Sequence, residues 1–155
     1  MTTAEIQKLN QKFNKFGYFI IGENAAGVTV QFVDDNGDLR TETATLDQLE
    51  AAYPVLQKKF DENCAVLGLE PAAIGISSIE TKLLDAGRYA IDKLLNNAEN
   101  EAANSEVDAA KANFLRMIQA TNEILPREIA NDLTTEIFCR LRLSYGGIAT
   151  SWLTA

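Results

Sequence analysis

Hydrophobic alternation with a period of two occupies one stretch of this chain, roughly residues 18–44, and does not return. After it, apolar residues recur at spacings of three and four. Strands produce the first period and helices the second, so the switch confines any sheet to the N-terminal third. Within the stretch, Val28, Val30 and Phe32 alternate with Thr29 and Gln31, the pattern of a half-buried strand. Tyr18 to Ile21 is a continuous apolar run, which predicts a strand covered on both faces. Glu23 to Gly27 reads as the loop between them. Asn36-Gly37 predicts a type I′ hairpin turn, which needs positive φ at both central residues. Leu39, Thr41 and Thr43 continue as a third strand, with Arg40 and Glu42 on its solvated face. The prediction is a three-stranded antiparallel meander.

Helical patterns lie on both sides of it. Thr2-x-x-Glu5 is a capping box, and Ile6, Leu9, Phe13 and Phe16 form the apolar stripe of a short helix ended by Gly17. Its other face carries Lys8, Lys12 and Lys15, the most basic stretch of the chain, read as a solvated face with an acidic partner's docking surface as the rival. Thr45-x-x-Gln48 opens a second helix, which Pro54 is predicted to end or kink. Val55, Leu56, Phe60, Cys64 and Leu67 resume the stripe until Gly68 and Pro71. Ser77-x-x-Glu80 opens the strongest stripe, through Ile79, Leu83, Leu84, Ile91, Leu94 and Leu95. Residues 96–106 are polar and Asn-rich, which predicts a helical hairpin around 98–105, with one uninterrupted helix as the rival. Val107, Ala110, Phe114, Met117 and Ile118 carry the next helix. Pro126 starts a last one, through Ile129, Leu133, Ile137, Leu141 and Tyr145 to Gly146-Gly147.

The fold class is therefore α+β, in one domain over residues 1–155. The meander at 18–44 is expected to pack on a helical region at 45–145 of four to five helices, with an apolar tail at 146–155 docked on the rest. The expected core is Phe13, Ile20, Val30, Phe32, Phe60, Leu84, Ile91, Leu95, Phe114, Ile118, Leu133, Ile137 and Leu141.

The chain has no histidine. That excludes Ser-His-Asp and Cys-His nucleophilic sites, His-ligated zinc or iron, and a His-driven pH switch. With 14 basic and 22 acidic residues the formal charge is −8, which opposes non-specific grip on nucleic-acid phosphates or anionic lipid. It is compatible with a basic protein partner and with mimicry of a nucleic acid. No apolar leader or membrane-length run is present, so a cytoplasmic protein is expected. Cys64 and Cys139 both fall in helical patterns and read as two buried, reduced thiols, although Arg140 and Arg142 would activate an accessible one at 139. Asp34-x-Asn36-x-Asp38 opens like a calcium loop but departs from it at Leu39 and Thr45. Glu128, Asp132 and Glu136 share a helix face, offset from the apolar stripe, and read as solvated. No glycine loop or CxxC pair supports a nucleotide or redox site. No catalytic residue, cofactor or metal is expected.

Two charge patterns suit protein contact. Glu99, Glu101, Glu106 and Asp108 crown the hairpin tip with no compensating base nearby in sequence. Residues 137–155 hold Arg140, Arg142, Tyr145 and Trp152 and no acid, the Arg-plus-aromatic composition of interface anchors, against core packing of the two aromatics. The leading expectation is a non-catalytic binding protein, in its concrete form a small acidic inhibitor of the immunity, anti-defence or anti-nuclease kind. The alternatives are an assembly subunit of a phage particle or multisubunit complex, with copies of the chain associating, and a small enzyme with a carboxylate site.

Overall fold

A computed structural model describes residues 1–97 and 104–155. The described residues hold a three-stranded sheet and six α-helices, in keeping with the α+β expectation. The order is α1 (Thr3–Phe13), β1 (Phe19–Asn24), β2 (Gly27–Val33), β3 (Leu39–Ala44), α2 (Leu46–Leu67), α3 (Ile76–Asn97), α4 (Asn104–Ile124), α5 (Arg127–Tyr145) and α6 (Gly147–Trp152). Contacts divide the chain into two compact units, Met1–Asp61 and Glu62–Ala155, with the boundary inside α2.

In the N-terminal unit, the Thr2 hydroxyl accepts from the Glu5 N–H at 3.2 Å and the Glu5 carboxylate accepts from the Thr2 N–H, so the capping box forms as read. A 3₁₀ turn at Asn14–Phe16 follows α1, and Gly17 at φ 86° takes the left-handed conformation that turns the chain into β1. The sheet order is β1-β2-β3, antiparallel throughout, with Ile20 opposite Val30 and Val30 opposite Glu42. Phe13, Ile20, Val28, Val30 and Leu49 form the buried core of this unit.

Several strand expectations are corrected. Phe19 and Ile21 are exposed, so β1 is covered on one face only, because alternation sends them away from Ile20 and α1. Strand pairing runs on to Asn24 and Gly27, leaving Ala25-Ala26 as a tight turn in which the Asn24 side chain accepts from the Ala26 N–H at 2.8 Å. Along β3 both faces are open: Leu39 is 66% exposed and Ala44 is its one half-buried residue. The Asn36-Gly37 hairpin has a three-residue loop rather than a type I′ turn. Asp34 Oδ1 accepts from the N–H groups of Asn36 and Asp38 at 3.0 and 2.9 Å, and the Gly37 N–H bonds the Asp34 carbonyl at 3.0 Å. Among the described residues no non-glycine has positive φ, so Gly37 alone, at φ 84°, supplies the left-handed residue of a type I turn with a bulge.

Pro54 neither ends nor breaks α2, which runs through it. Pro54 is exposed, while Leu49, Tyr53 and Leu56 turn inward onto the core, and that packing outweighs one missing hydrogen bond.

In the C-terminal unit, Gly68 at φ 68° closes α2 and a short 3₁₀ turn at Pro71–Ala73 leads to α3. The Ser78 hydroxyl, not that of Ser77, ties the start of α3, accepting from the Gly75 N–H at 3.0 Å. α3 and α4 pack antiparallel, as a helical hairpin requires: Lys93 lies against Glu106 and Gly87 against Phe114, while residues 98–103 of the expected turn lie outside the described residues. Ile79, Leu83, Ile91, Phe114 and, from α5, Ile137 and Leu141 are fully buried at the centre of this unit. Gly87 makes that packing close: a Cβ there would stand 2.7 Å from Leu141 Cδ1 and 3.2 Å from Phe114 Cε2. The tail is docked, as α6 with Ala149, Thr150 and Leu153 buried.

The predicted core needs one removal and three demotions. Leu95 is 56% exposed, lying beyond Ile91, the last buried residue of α3. Phe32, Phe60 and Ile118 are half-buried. Cys139 is exposed, not buried, whereas Cys64 is buried and both are unbridged. The buried positions of α5 are Ala130, Leu133, Ile137 and Leu141, and residue 139 is rotated roughly 200° from Ile137.

Candidate functional site

One open surface depression among the described residues lies at a corner where α5 meets α6. Gly146, at φ 87°, ends α5 with its N–H on the Arg142 carbonyl at 2.8 Å, and α6 starts at the next residue. The left-handed Gly146 turns the chain from α5 into α6, and Arg142 lies beside Ile148, Ser151, Trp152 and Ala155 around a shallow, open depression. Trp152 is half-buried and packs on the core of the unit. Lys111, from α4, stands 5.1 Å from the Trp152 ring centroid and donates to the Ala155 carbonyl oxygen at 2.8 Å. The first is a cation–π contact on the indole, and the second ties α4 to the tail beside it. Beside it Ile148 is 93% exposed, and among the described residues Arg142 has no ion-pair partner.

The residues singled out from sequence divide around this corner. Arg142 and Trp152 meet in it. Tyr145 is half-buried against the core, where burial first and a hydrogen bond to Asp92 second push its hydroxyl pKa up. Arg140 is engaged elsewhere: one nitrogen bonds Glu80 at 2.7 Å and the other Glu136 at 2.8 Å, tying α5 to α3. Glu106 and Asp108 are exposed, and Glu106 is paired with Lys93 at 3.2 Å, so it has a compensating base that its sequence neighbours did not reveal. That pairing holds the Lys93 ammonium above its ordinary pKa. Glu99 and Glu101 lie outside the described residues.

Other chemistry-bearing candidates sit in solvent or in local bonds. Glu128, Asp132 and Glu136 are all exposed on α5. The Asp34 carboxylate is occupied by two loop N–H groups and by Arg40, which together hold it below the usual carboxylate range. Among the described residues no three Cys, Asp or Glu side chains gather into a group that would hold a metal ion. No described helix is long and apolar enough to cross a membrane.

Ile148 was missed in the sequence. Its neighbours in the tail are apolar too, and only the rotation of α6 separates the buried Ala149 and Leu153 from the exposed Ile148. Set against known proteins, the chain matches no family model, no curated relative and no solved structure.

Proposed function

We propose that this chain is a non-catalytic protein-binding module whose contact face is the α5–α6 corner. The observation that carries the reading is the pairing of a half-buried Trp152 with an almost fully exposed Ile148 and, among the described residues, an Arg142 without an ion-pair partner around one depression. Such anchors concentrate binding energy when a partner removes them from water. The net charge of −8 draws a basic protein in over distances beyond the contact itself, and Arg142 and Lys111 at the corner call for an apolar or acidic patch on that partner where the two meet. The concrete form is a small acidic inhibitor that blocks a basic protein by covering it. Affinity co-purification from the native host with the wild type and with Ile148→Asp tests this. A basic protein retained by the wild type and lost by the variant, with unchanged circular dichroism, is the expected result. Equal retention by both overturns the corner.

A second reading, an assembly subunit, is favoured by the open face of the sheet. Phe19, Thr29, Gln31, Val33, Leu39, Thr41 and Thr43 share it in the strand register, without a charged residue, in a strongly acidic chain. Two copies can meet there without like-charge repulsion. Concentration-dependent sedimentation that Leu39→Lys abolishes supports this reading, and a monomer at all concentrations removes it.

A further inference from the structure

Lys12 at the end of α1 and Lys15 in the 3₁₀ turn after it lie against aromatic rings. The Lys15 ammonium lies 5.0 Å from the Phe16 ring centroid, 5.6 Å from that of Phe60 and 5.8 Å from that of Tyr53. The Phe16 plane is inclined at 63° to Tyr53 and 74° to Phe60, with centroids 5.9 Å apart in both pairs, so the rings stand as walls rather than as a stack. Gln57 closes one side: its side-chain oxygen accepts from Lys15 Nζ and from the Tyr53 hydroxyl, and its amide donates to Asp61 at 2.8 Å. Lys12 adds a second ammonium 4.0 Å from the Tyr53 centroid.

We propose that Phe16, Tyr53 and Phe60 form a cage for a trimethylammonium group, in which Lys15 is a resident tenant that the ligand displaces. A lysine ammonium is compact and strongly hydrated, and the exposed Lys15 can return to water at little cost. A trimethylammonium group has no N–H to solvate and spreads its charge over methyls that fit ring faces, which makes it the better occupant. Gln57 is not orphaned by the exchange, because the Tyr53 hydroxyl remains bonded to it. The Asp61 carboxylate stays nearby as counter-charge. The site lies wholly within the N-terminal unit and stands independently of the α5–α6 corner.

The test is an NMR titration of the full chain with tetramethylammonium chloride, read on the ring protons of Phe16, Tyr53 and Phe60. Lys15→Ala removes an exposed side chain and empties the cage. It is expected to tighten binding about fivefold, while Tyr53→Leu in that background abolishes the ring shifts. A parallel titration with choline and its neutral isostere 3,3-dimethylbutanol separates charge from hydrophobic contact. Ring shifts absent with Lys15→Ala, or equal binding of the neutral isostere, overturn the cage. A trimethyllysine peptide that binds at least tenfold tighter than tetramethylammonium supports a cage serving a methylated protein, and equal binding supports one serving a free small-molecule cation.

Discussion

The two units hold themselves together by different means. The N-terminal unit has five buried apolar side chains, Phe13, Ile20, Val28, Val30 and Leu49, rimmed by half-buried aromatics. Much of its shape is dictated locally, by the Thr2 capping box, the Asn24 turn and the Asp34 loop, each closed within four residues. Among its described residues, the C-terminal unit has fifteen buried apolar side chains in one cluster drawn from α2 through Leu153. Its buried centre joins residues such as Ile79 and Leu141, far apart in sequence. The first unit therefore depends on polar geometry and turn residues, and the second on close packing.

Core truncation is the most forceful way to break that contrast. Phe114 is fully buried, meets Phe138 edge-on at 5.8 Å and touches the space above Gly87. Phe114→Ala is expected to cost about 4–5 kcal/mol in denaturant unfolding followed by Trp152 fluorescence, near the top of the range for such changes. Phe13 is equally buried, but its neighbours Phe16 and Tyr53 are half-exposed and free to close on the hole. Phe13→Ala is expected to cost nearer 3 kcal/mol. Equal losses would mean that the N-terminal unit is packed as tightly as the C-terminal one.

How far the sequence could be read follows the same division. β2 and the helices α3 and α4 were legible because a single face of each is buried, and burial of one face is what periodicity records; β1 was misread as covered on both faces, and β3 is open on both. Cys139 and Leu95 were misplaced because each sits at the margin of a stripe, where the neighbouring helix decides exposure. The Asn36-Gly37 turn was misjudged because the Asp34 side chain, outside the dipeptide, closes a competing loop. The α5–α6 corner was half legible: Arg142 and Trp152 stood out by composition, while Ile148 needed the rotation of a six-residue helix. The Lys15 cage was not legible at all, since Phe16 and Phe60 lie 44 residues apart and only the fold brings their rings within 5.9 Å.

Pro54 sharpens the contrast from the other side. Here local chemistry opposes the fold, because an interior proline removes a helix hydrogen bond, yet α2 continues. Pro54→Ala restores an N–H donor at an exposed position. It is expected to stabilise the N-terminal unit by roughly 1–3 kcal/mol in thermal melts. A neutral or destabilising result would show that α2 is shaped around the proline ring.

Gly87 probes the opposite case, in which packing overrules local preference. Alanine would favour the helix by about 1 kcal/mol, but its Cβ would press on the buried Leu141 at 2.7 Å. Gly87→Ala is expected to destabilise by about 1 kcal/mol net, because overpacking typically costs 1–3 kcal/mol and both Leu141 and Phe114 beside the new Cβ are fully buried. A stabilised variant would mean that the C-terminal core is looser than its burial implies.

The smallest expected effect is the most local. The Arg40 guanidinium, with the Asp38 and Asn36 N–H groups, lowers the Asp34 pKa from its ordinary value. A carboxyl group whose pKa is lower folded than unfolded stabilises the fold above its unfolded pKa. That stabilisation fades as pH falls through the unfolded value and then the folded one. The β2–β3 loop should therefore loosen below about pH 4, the ordinary Asp range, while the C-terminal core is unmoved. Amide NMR shifts of Gly37 and Asp38 between pH 6 and 2 report it directly. Asp34→Asn keeps a side-chain oxygen for the two N–H groups but removes the charge that Arg40 reads. In that variant the acid step at Gly37 and Asp38 should vanish while the loop stays closed at neutral pH. If the step persists, the titrating group is another carboxylate and Asp34 closes the loop by its hydrogen bonds alone. The polar dependence of the N-terminal unit would then be a matter of geometry rather than of charge.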